Sequence, residues 1–363
     1  MKFFRLLLAV TVFAGCETDP DPGKDHNWAL LPFEKADNVN PVLLPDTNST
    51  FLCPVRNTMV QWEEKDVFNP AAVVRNDTVF LLFRAEDSIG KFAGTSRIGL
   101  AWSTDGLHFK KHPVPVLYPD NDAEKIYEWE GGCEDPRIVE DENGTYYMTY
   151  TAYDGDKARL MVASSKDLYH WTKHGLALTA ATGGPITQWW SKSGSIVSTY
   201  VNGTPVAKKI DNRYWMYWGD TDIFIAFSKD LVKWQPFVYA VGGMSVMEPR
   251  QKKFDSRLVE SGPPAMLTDS GIVLIYNSMN LGGANGDTTL AEGTYAASQI
   301  LFDKNDPTKV VDRMDTYFMK PDKPYEITGQ VNHVCFVEGL VQFKGKWFLY
   351  YGTADSKIAV AVK

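Results

Sequence analysis

Five segments of the chain place a charged or amide side chain at the entry to an apolar run. They are Asn69 in FNPAAVV, Asp135 in CEDPRIV, Lys192 in SKSGSIV, Glu260 in ESGPPAM and Glu338 in VEGLVQF. A second set of polar residues stands at the exits of aromatic runs: Arg84 with Glu86, Asp154, Asp220 with Asp222, Asn277, and Asp355. Charge at the end of an apolar strand is costly unless water, an opposite charge or a ligand receives it. Gathered into one pocket, such acids suit glycoside chemistry. One carboxyl protonates the leaving oxygen, and a second group activates water or delivers another nucleophile to the opposite face of the sugar. Clustered carboxylates also raise each other's proton affinity, which keeps one of them a proton donor near neutral pH.

Residues so far apart in sequence meet only if their strands are arranged radially, and the chain repeats in a way that does this. RIGLAWSTDGLHF, ARLMVASSKDLYHW and DIFIAFSKDLVKW are three copies of one phrase, and TYAASQILFD and KIAVAVK are two more. Ala101, Ala163, Ala226, Ala297 and Ala359 hold the same place in each, spaced by about 62 residues except for one wider gap. An aromatic strand of period two precedes each copy, and a run passing from small or charged residues into an apolar strand precedes that. Antiparallel strands joined by tight turns and repeated radially form propeller blades. The sequence therefore predicts an all-β, five-bladed β-propeller with an axial active-site pocket. The first strand of each blade lies nearest the axis, which brings Asn69, Asp135, Lys192, Glu260 and Glu338 together. Pro70, Pro136 and Pro263 are expected where strands begin, a position that tolerates proline. Asp105, Asp167 and Asp230 sit in the repeated Ser-x-Asp turn and are read as structural.

Composition narrows the partners. The net charge is −8 and no basic block stands out, which argues against nucleic acid. Aromatics make up 13% of the chain, in keeping with ring stacking on sugars. At the N-terminus, Lys2 and Arg5 precede an apolar run too short to span a membrane, and FAGC resembles a bacterial lipobox ending at Cys16. The expected division is a lipoprotein signal peptide over 1–16, a tether and N-terminal extension over 17–59, and the catalytic propeller over 60–363. The protein would then be lipid-anchored at the bacterial cell envelope through Cys16. Cys53, Cys133 and Cys335 form no CxxC pair, so neither a disulfide framework nor a metal site is expected, and no cofactor is called for. Oligomeric state is not legible.

FNPAAV, FRAE, SRIGLAWSTDG, EDPRIV, SGPPAMLTDSGIVLIYN, LFDKNDPTKVVDR and LYYGTAD, in that order, resemble glycoside hydrolase family 130 over about residues 60–363. The resemblance implies a five-bladed propeller acting on β-mannosides by an inverting mechanism. It implies that Asp135 is the proton donor, passing its proton through a hydroxyl of the bound mannose. It makes Asn69, Arg84, Arg97, Asp154 and Asp355 sugar contacts. Phosphorylases of the family gather basic residues around phosphate, with a His-Arg-Pro-like segment ending a blade-three strand. Here that stretch is WMYWGDTDI, and Glu260 stands where a small residue is usual. Two acids would repel a phosphate dianion. The resulting expectation is an inverting, exo-acting β-mannosidase cleaving β-1,2-linked mannoside oligosaccharides. Glu260 is first choice for the general base, Asp220 assists or shares the task, and Glu338 is a third candidate. Arg159 and Lys192 remain as sugar contacts or as part of a phosphate site, so a mannoside phosphorylase is the alternative. A non-catalytic glycan-binding propeller is the second alternative.

Overall fold

The computed structural model describes residues 26–238 and 245–363, so Cys16 and the segment before it lie outside the described residues. Alternating β-branched and aromatic runs form the strands, and left-handed turn residues close the hairpins. Asn76 and Asp77 (φ 49° and 54°), Asn202 and Gly203 (49° and 85°), and Lys344 and Gly345 (49° and 79°) each make a two-residue reversal. The strands group into five blades. Asp66–Arg75, Thr78–Glu86, Ser96–Ser103 and Lys110–Lys111 make blade 1. Gly132–Glu140, Tyr146–Tyr153, Ala158–Ser165 and Thr172–Leu176 make blade 2. Blade 3 is Ser195–Ile196, Tyr214–Trp218, Ile223–Ser228 and Trp234–Pro236. Blade 4 is Leu258–Ser261, Ile272–Met279, Tyr295–Phe302 and Val310–Arg313. Blade 5 is Cys335–Phe343, Lys346–Thr353 and Lys357–Val362, completed by Glu34–Lys35 from the opposite end of the chain. The fold is a five-bladed β-propeller.

Glu34 pairs with Val362 and Lys35 with Ala361, so the last blade takes its outermost strand from the N-terminal region and the ring is tied shut. Residues 26–59, expected as tether and extension, are thus built into the domain: Leu43, Phe51 and Cys53 lie in the same apolar cluster as Trp62, Phe83 and Val360. The five repeat alanines are all fully buried on third strands, where a larger side chain would have no room. Asp105, Asp167 and Asp230 spend their carboxylates on backbone N–H groups of their own turns, as at Leu107 and His108, Tyr169 and His170, and Val232 and Lys233. All three described cysteines are free and buried.

A second repeat, not legible as a motif, fastens outer strands to the blades. In blade 2, buried Glu128 accepts from Tyr150 Oη (2.8 Å) and from Lys173 Nζ (2.6 Å) on the outermost strand. In blade 5, buried Glu326 accepts from Tyr351 Oη (2.8 Å) and Lys35 Nζ (2.7 Å). Asp255 does the same in blade 4 with Tyr276 (2.9 Å) and Arg313 (2.5 Å), and Glu63 with Lys111 (2.6 Å) in blade 1. Each pairs an acid placed ahead of the blade with a cation on its fourth strand. Removing one member of a buried pair costs about 3–5 kcal/mol. Lys35→Met is therefore expected to lower stability by about 3 kcal/mol in a denaturant titration, because it opens the ring at its closure, whereas Lys35→Arg should lose far less.

Candidate active site

The inner strands of blades 1, 2 and 5 each break register at the residue facing the axis. The shifts fall between Phe68 and Pro70, between Glu134 and Arg137, and between Val337 and Gly339. Each bulge aims one polar side chain out of the ladder: Asn69, Asp135 and Glu338. Asn69 and Asp135 take φ of 48° and 46°, and Ser193 of blade 3 takes 59°. Such backbone strain clusters at sites where orientation matters. Pro70 and Pro136 were expected at strand starts; they lie inside their strands, at the bulges, a position that tolerates proline.

The bulges gather one charge cluster. Asp135 Oδ1 accepts from Asn69 Nδ2 at 2.9 Å and lies 3.3 Å from Arg84 Nη1. Its other oxygen lies 3.3 Å from Lys192 Nζ, and that same ammonium is 3.1 Å from Glu260 Oε1. Ser193 Oγ donates to the same Glu260 oxygen. Arg84 also holds Glu86 (2.6 Å) and Glu134 (3.0 Å). Deeper still, Arg137 Nη1 is 2.6 Å from Glu338 Oε1, with both side chains at most 1% exposed. Trp190 is half-exposed at the rim and donates from Nε1 to Asp220 at 2.8 Å, with its ring edge-on to Tyr153 at 6.5 Å.

More carboxyls than cations share this space, and their proton affinities diverge accordingly. Burial raises Asp135, but Lys192, Arg84 and Arg137 outweigh it and hold the carboxyl well below the usual range. Burial, opposed by Arg84 and reinforced by Asp135 and Glu86, pushes Glu134 up to about 7. Burial pushes Asp355 up to about 7 as well, against Arg84 and with Asp135. Glu260 is raised by burial and Asp220 despite Lys192, and Glu338 is raised well above its ordinary range by burial despite Arg137. Titratable groups driven apart in this way mark acid and base roles.

The structure brings Asn69, Arg84, Asp135, Lys192 and Glu260 into direct contact with one another, and the charges of Asp220, Glu338 and Asp355 are felt in the same cluster. Arg97 does not join them. It is fully buried in the blade wall, where it pairs with Asp87 at 2.8 Å and lies over the Phe51 ring, so it is not a sugar contact. Glu338 has no exposed surface, which removes it both as a sugar contact and as the group that activates water. Asp154 and Arg159 neutralise each other at 2.6 Å, and Arg159 also donates to Thr187 O. Sequence reasoning placed both acids of CEDPR, Glu134 and Asp135, at the pocket, but gave no site role to Ser193 or Arg137. Glu134 and Arg137 flank Asp135 in EDPR, yet only the bulge reveals that Arg137 points inward as well. Trp189, paired with Trp190 in sequence, instead stacks on Trp218 inside the blade at 6.3 Å.

Keeping Asp355 in this cluster costs stability at neutral pH. Its folded pKa of about 7 lies above the ordinary 3.8, so the folded state keeps a proton that the unfolded chain has released. That cost grows as pH rises from about 4 to about 7 and is complete above it. Asp355→Asn is expected to raise stability by about 1–2 kcal/mol at pH 8 and by little at pH 4. Thermal melts at the two pH values check this.

Sequence and structure comparisons agree with the geometry. The profile of glycoside hydrolase family 130, described as β-1,4-mannooligosaccharide phosphorylase, matches residues 41–363. The chain belongs to glycoside hydrolase family 130. A family-130 relative, the 1,2-β-oligomannan phosphorylase of Thermoanaerobacter sp., is 30% identical over 89% of this chain and 94% of its own length. A crystal structure of a glycosyl hydrolase from Bacteroides ovatus superposes with a TM-score of 0.89 at 47% identity, covering 93% of this chain and 95% of that one. A second similar structure accompanies the finding that the GH130 family of mannoside phosphorylases contains glycoside hydrolases that target β-1,2 mannosidic linkages in Candida mannan. It is 47% identical with a TM-score of 0.89, covering 93% of this chain and 94% of that one. Family 130 thus contains glycoside-active enzymes of both kinds, phosphorylases and hydrolases.

Proposed function

We propose that this protein is an inverting, exo-acting β-mannosidase that hydrolyses β-1,2-linked mannosides. The observation that carries the reading is the pairing of Glu260 and Asp220 around Lys192. A phosphate bound there would face two carboxylates, while the one ammonium between them is already shared by Asp135 and Glu260. Arg159, the other cation considered for phosphate, is neutralised by Asp154. The same acids suit a water nucleophile, which Glu260 deprotonates and Asp220, oriented by Trp190, helps to place. Arg137 and Glu338 are packed almost without exposed surface beneath the cluster, an arrangement that favours cleavage from a chain end.

On this reading Asp135 is the proton donor. In the pocket without sugar the surrounding cations hold it ionised, so its working proton comes from neighbouring acids, of which Glu134 and Asp355 exchange protons near pH 7. A neutral mannoside that separates Lys192 from Asp135 returns the proton to Asp135, and a mannose hydroxyl passes it to the leaving oxygen. Activity should accordingly decline as pH rises above about 7.

Phosphorolysis is the second reading, favoured by the phosphorylase activity of the 30%-identical relative. Incubating the protein with β-1,2-mannobiose, with and without phosphate, separates the two. Free mannose in the absence of phosphate supports hydrolysis, and mannose 1-phosphate formed only with phosphate refutes it. Following the anomer first formed by NMR tests inversion: α-mannose is expected, and β-mannose would exclude it. Lipid anchoring through Cys16 is likewise proposed from the FAGC motif, and is tested by loss of fatty-acid labelling in Cys16→Ser.

A further inference from the structure

We infer that Arg137 and Glu338 are a positioning pair for the reaction: one buried guanidinium spans the gap between the backbone carrying Asp135 and the backbone following Glu260, and the buried Glu338 carboxyl packs against it. The inference rests on the proposed roles of Asp135 and Glu260. Arg137 Nη1 donates to Asp135 O at 3.2 Å, inside the bulge of blade 2. Its Nη2 donates to Ser261 O at 2.7 Å and its Nε to Gly262 O at 3.1 Å, on the two residues that follow Glu260 in blade 4. A single rigid, planar group therefore sets the separation between the donor-bearing and base-bearing strands, which lysine, a point charge, cannot do. Glu338 lies at the corresponding bulge of blade 5, 2.6 Å from Arg137, yet neither of its oxygens makes a well-directed hydrogen bond. It packs against the guanidinium beneath Asp135 and has no exposed surface of its own.

Such an arrangement explains why a buried guanidinium–carboxyl pair is kept where apolar packing would serve stability as well or better. An acid and a base that must act on opposite faces of one sugar lose rate steeply with small displacement, on the order of 100-fold for about 1 Å.

The test uses the full chain and β-1,2-mannobiose. Arg137→Met alone would leave Glu338 buried without its partner and could unfold the protein, so the informative variant is the double Arg137→Met/Glu338→Leu, which removes both polar groups together. The expected result is a cooperative thermal transition close to that of the wild type, kcat lowered about 100-fold and KM within about threefold. Glu338→Gln, which keeps a side-chain oxygen facing Arg137, should stay within about tenfold of wild-type kcat. A folded double variant with wild-type kcat would overturn the inference, as would a loss confined to KM. If the double variant does not fold, Arg137→Lys decides: a folded Lys variant with wild-type kcat overturns the inference, and a kcat loss at unchanged KM upholds it. Asp135→Asn and Glu260→Gln are measured alongside. If both remain active, the reading of the site has failed; if both are inactive while the double variant turns over normally, only the positioning role has failed.

Discussion

Asp135→Asn is expected to lower kcat on β-1,2-mannobiose by about 10²–10⁴-fold while leaving sugar affinity near that of the wild type. The amide occupies the same volume, and its oxygen can still accept from Asn69 Nδ2 and Arg84, so the bulge keeps its shape. What disappears is the capacity to take up and release a proton at the one point where Arg84, Lys192 and Asn69 converge. The loss should fall on kcat and not on KM, because the group acts on the transition state and not on ground-state binding. Steady-state kinetics together with calorimetric titration of the sugar separate the two. A glycan-binding protein without catalytic function would show no rate to lose, and its affinity would hardly change.

Glu260→Gln should produce a loss of similar size, about 10²–10⁴-fold in kcat, with a different signature. Removing this anion frees Lys192 from one of its two partners and lifts the repulsion that keeps phosphate out. The variant should therefore bind inorganic phosphate more tightly than the wild type, measured by calorimetry, even though water is no longer activated. Added azide, a small anionic nucleophile that needs no base, should restore part of the turnover and yield an α-mannosyl azide if the reaction inverts. A Glu260→Gln variant with wild-type hydrolysis would transfer the base role to Asp220.

Much of this architecture was legible in the sequence because a propeller is periodic. Five alanines in register, each following an aromatic strand, are enough to fix the blade count, and the radial rule then collects the residues at the inner-strand bulges. The N-terminal strand escaped detection because Glu34–Lys35 is only two residues long, and its pairing partner lies at the far end of the chain. The buried clasps at Glu63, Glu128, Asp255 and Glu326 escaped because their acids lie outside the repeated strands, on loops or single-turn helices, with no fixed spacing to the strand cations. At the site, the pattern could place Asp135, Lys192 and Glu260 on one axis but could not tell which neighbouring charges face the pocket. Arg97 stands in a motif as suggestive as that of Arg84, yet strand alternation turns it into the wall toward Asp87. Glu338 carries the opposite lesson: a carboxyl at an axial position that looks like a substrate contact is buried against Arg137 beneath the cluster.

The measurement that bears most directly on the central claim is a crystal structure of Asp135→Asn with β-1,2-mannobiose bound. The account predicts the non-reducing mannose seated on the axis, with the amide introduced at position 135 reaching the glycosidic oxygen through a sugar hydroxyl. It places Glu260 on the opposite face of the anomeric carbon with space for one water. A disaccharide bound away from the axis, or Glu260 on the same face as the introduced amide, would contradict it.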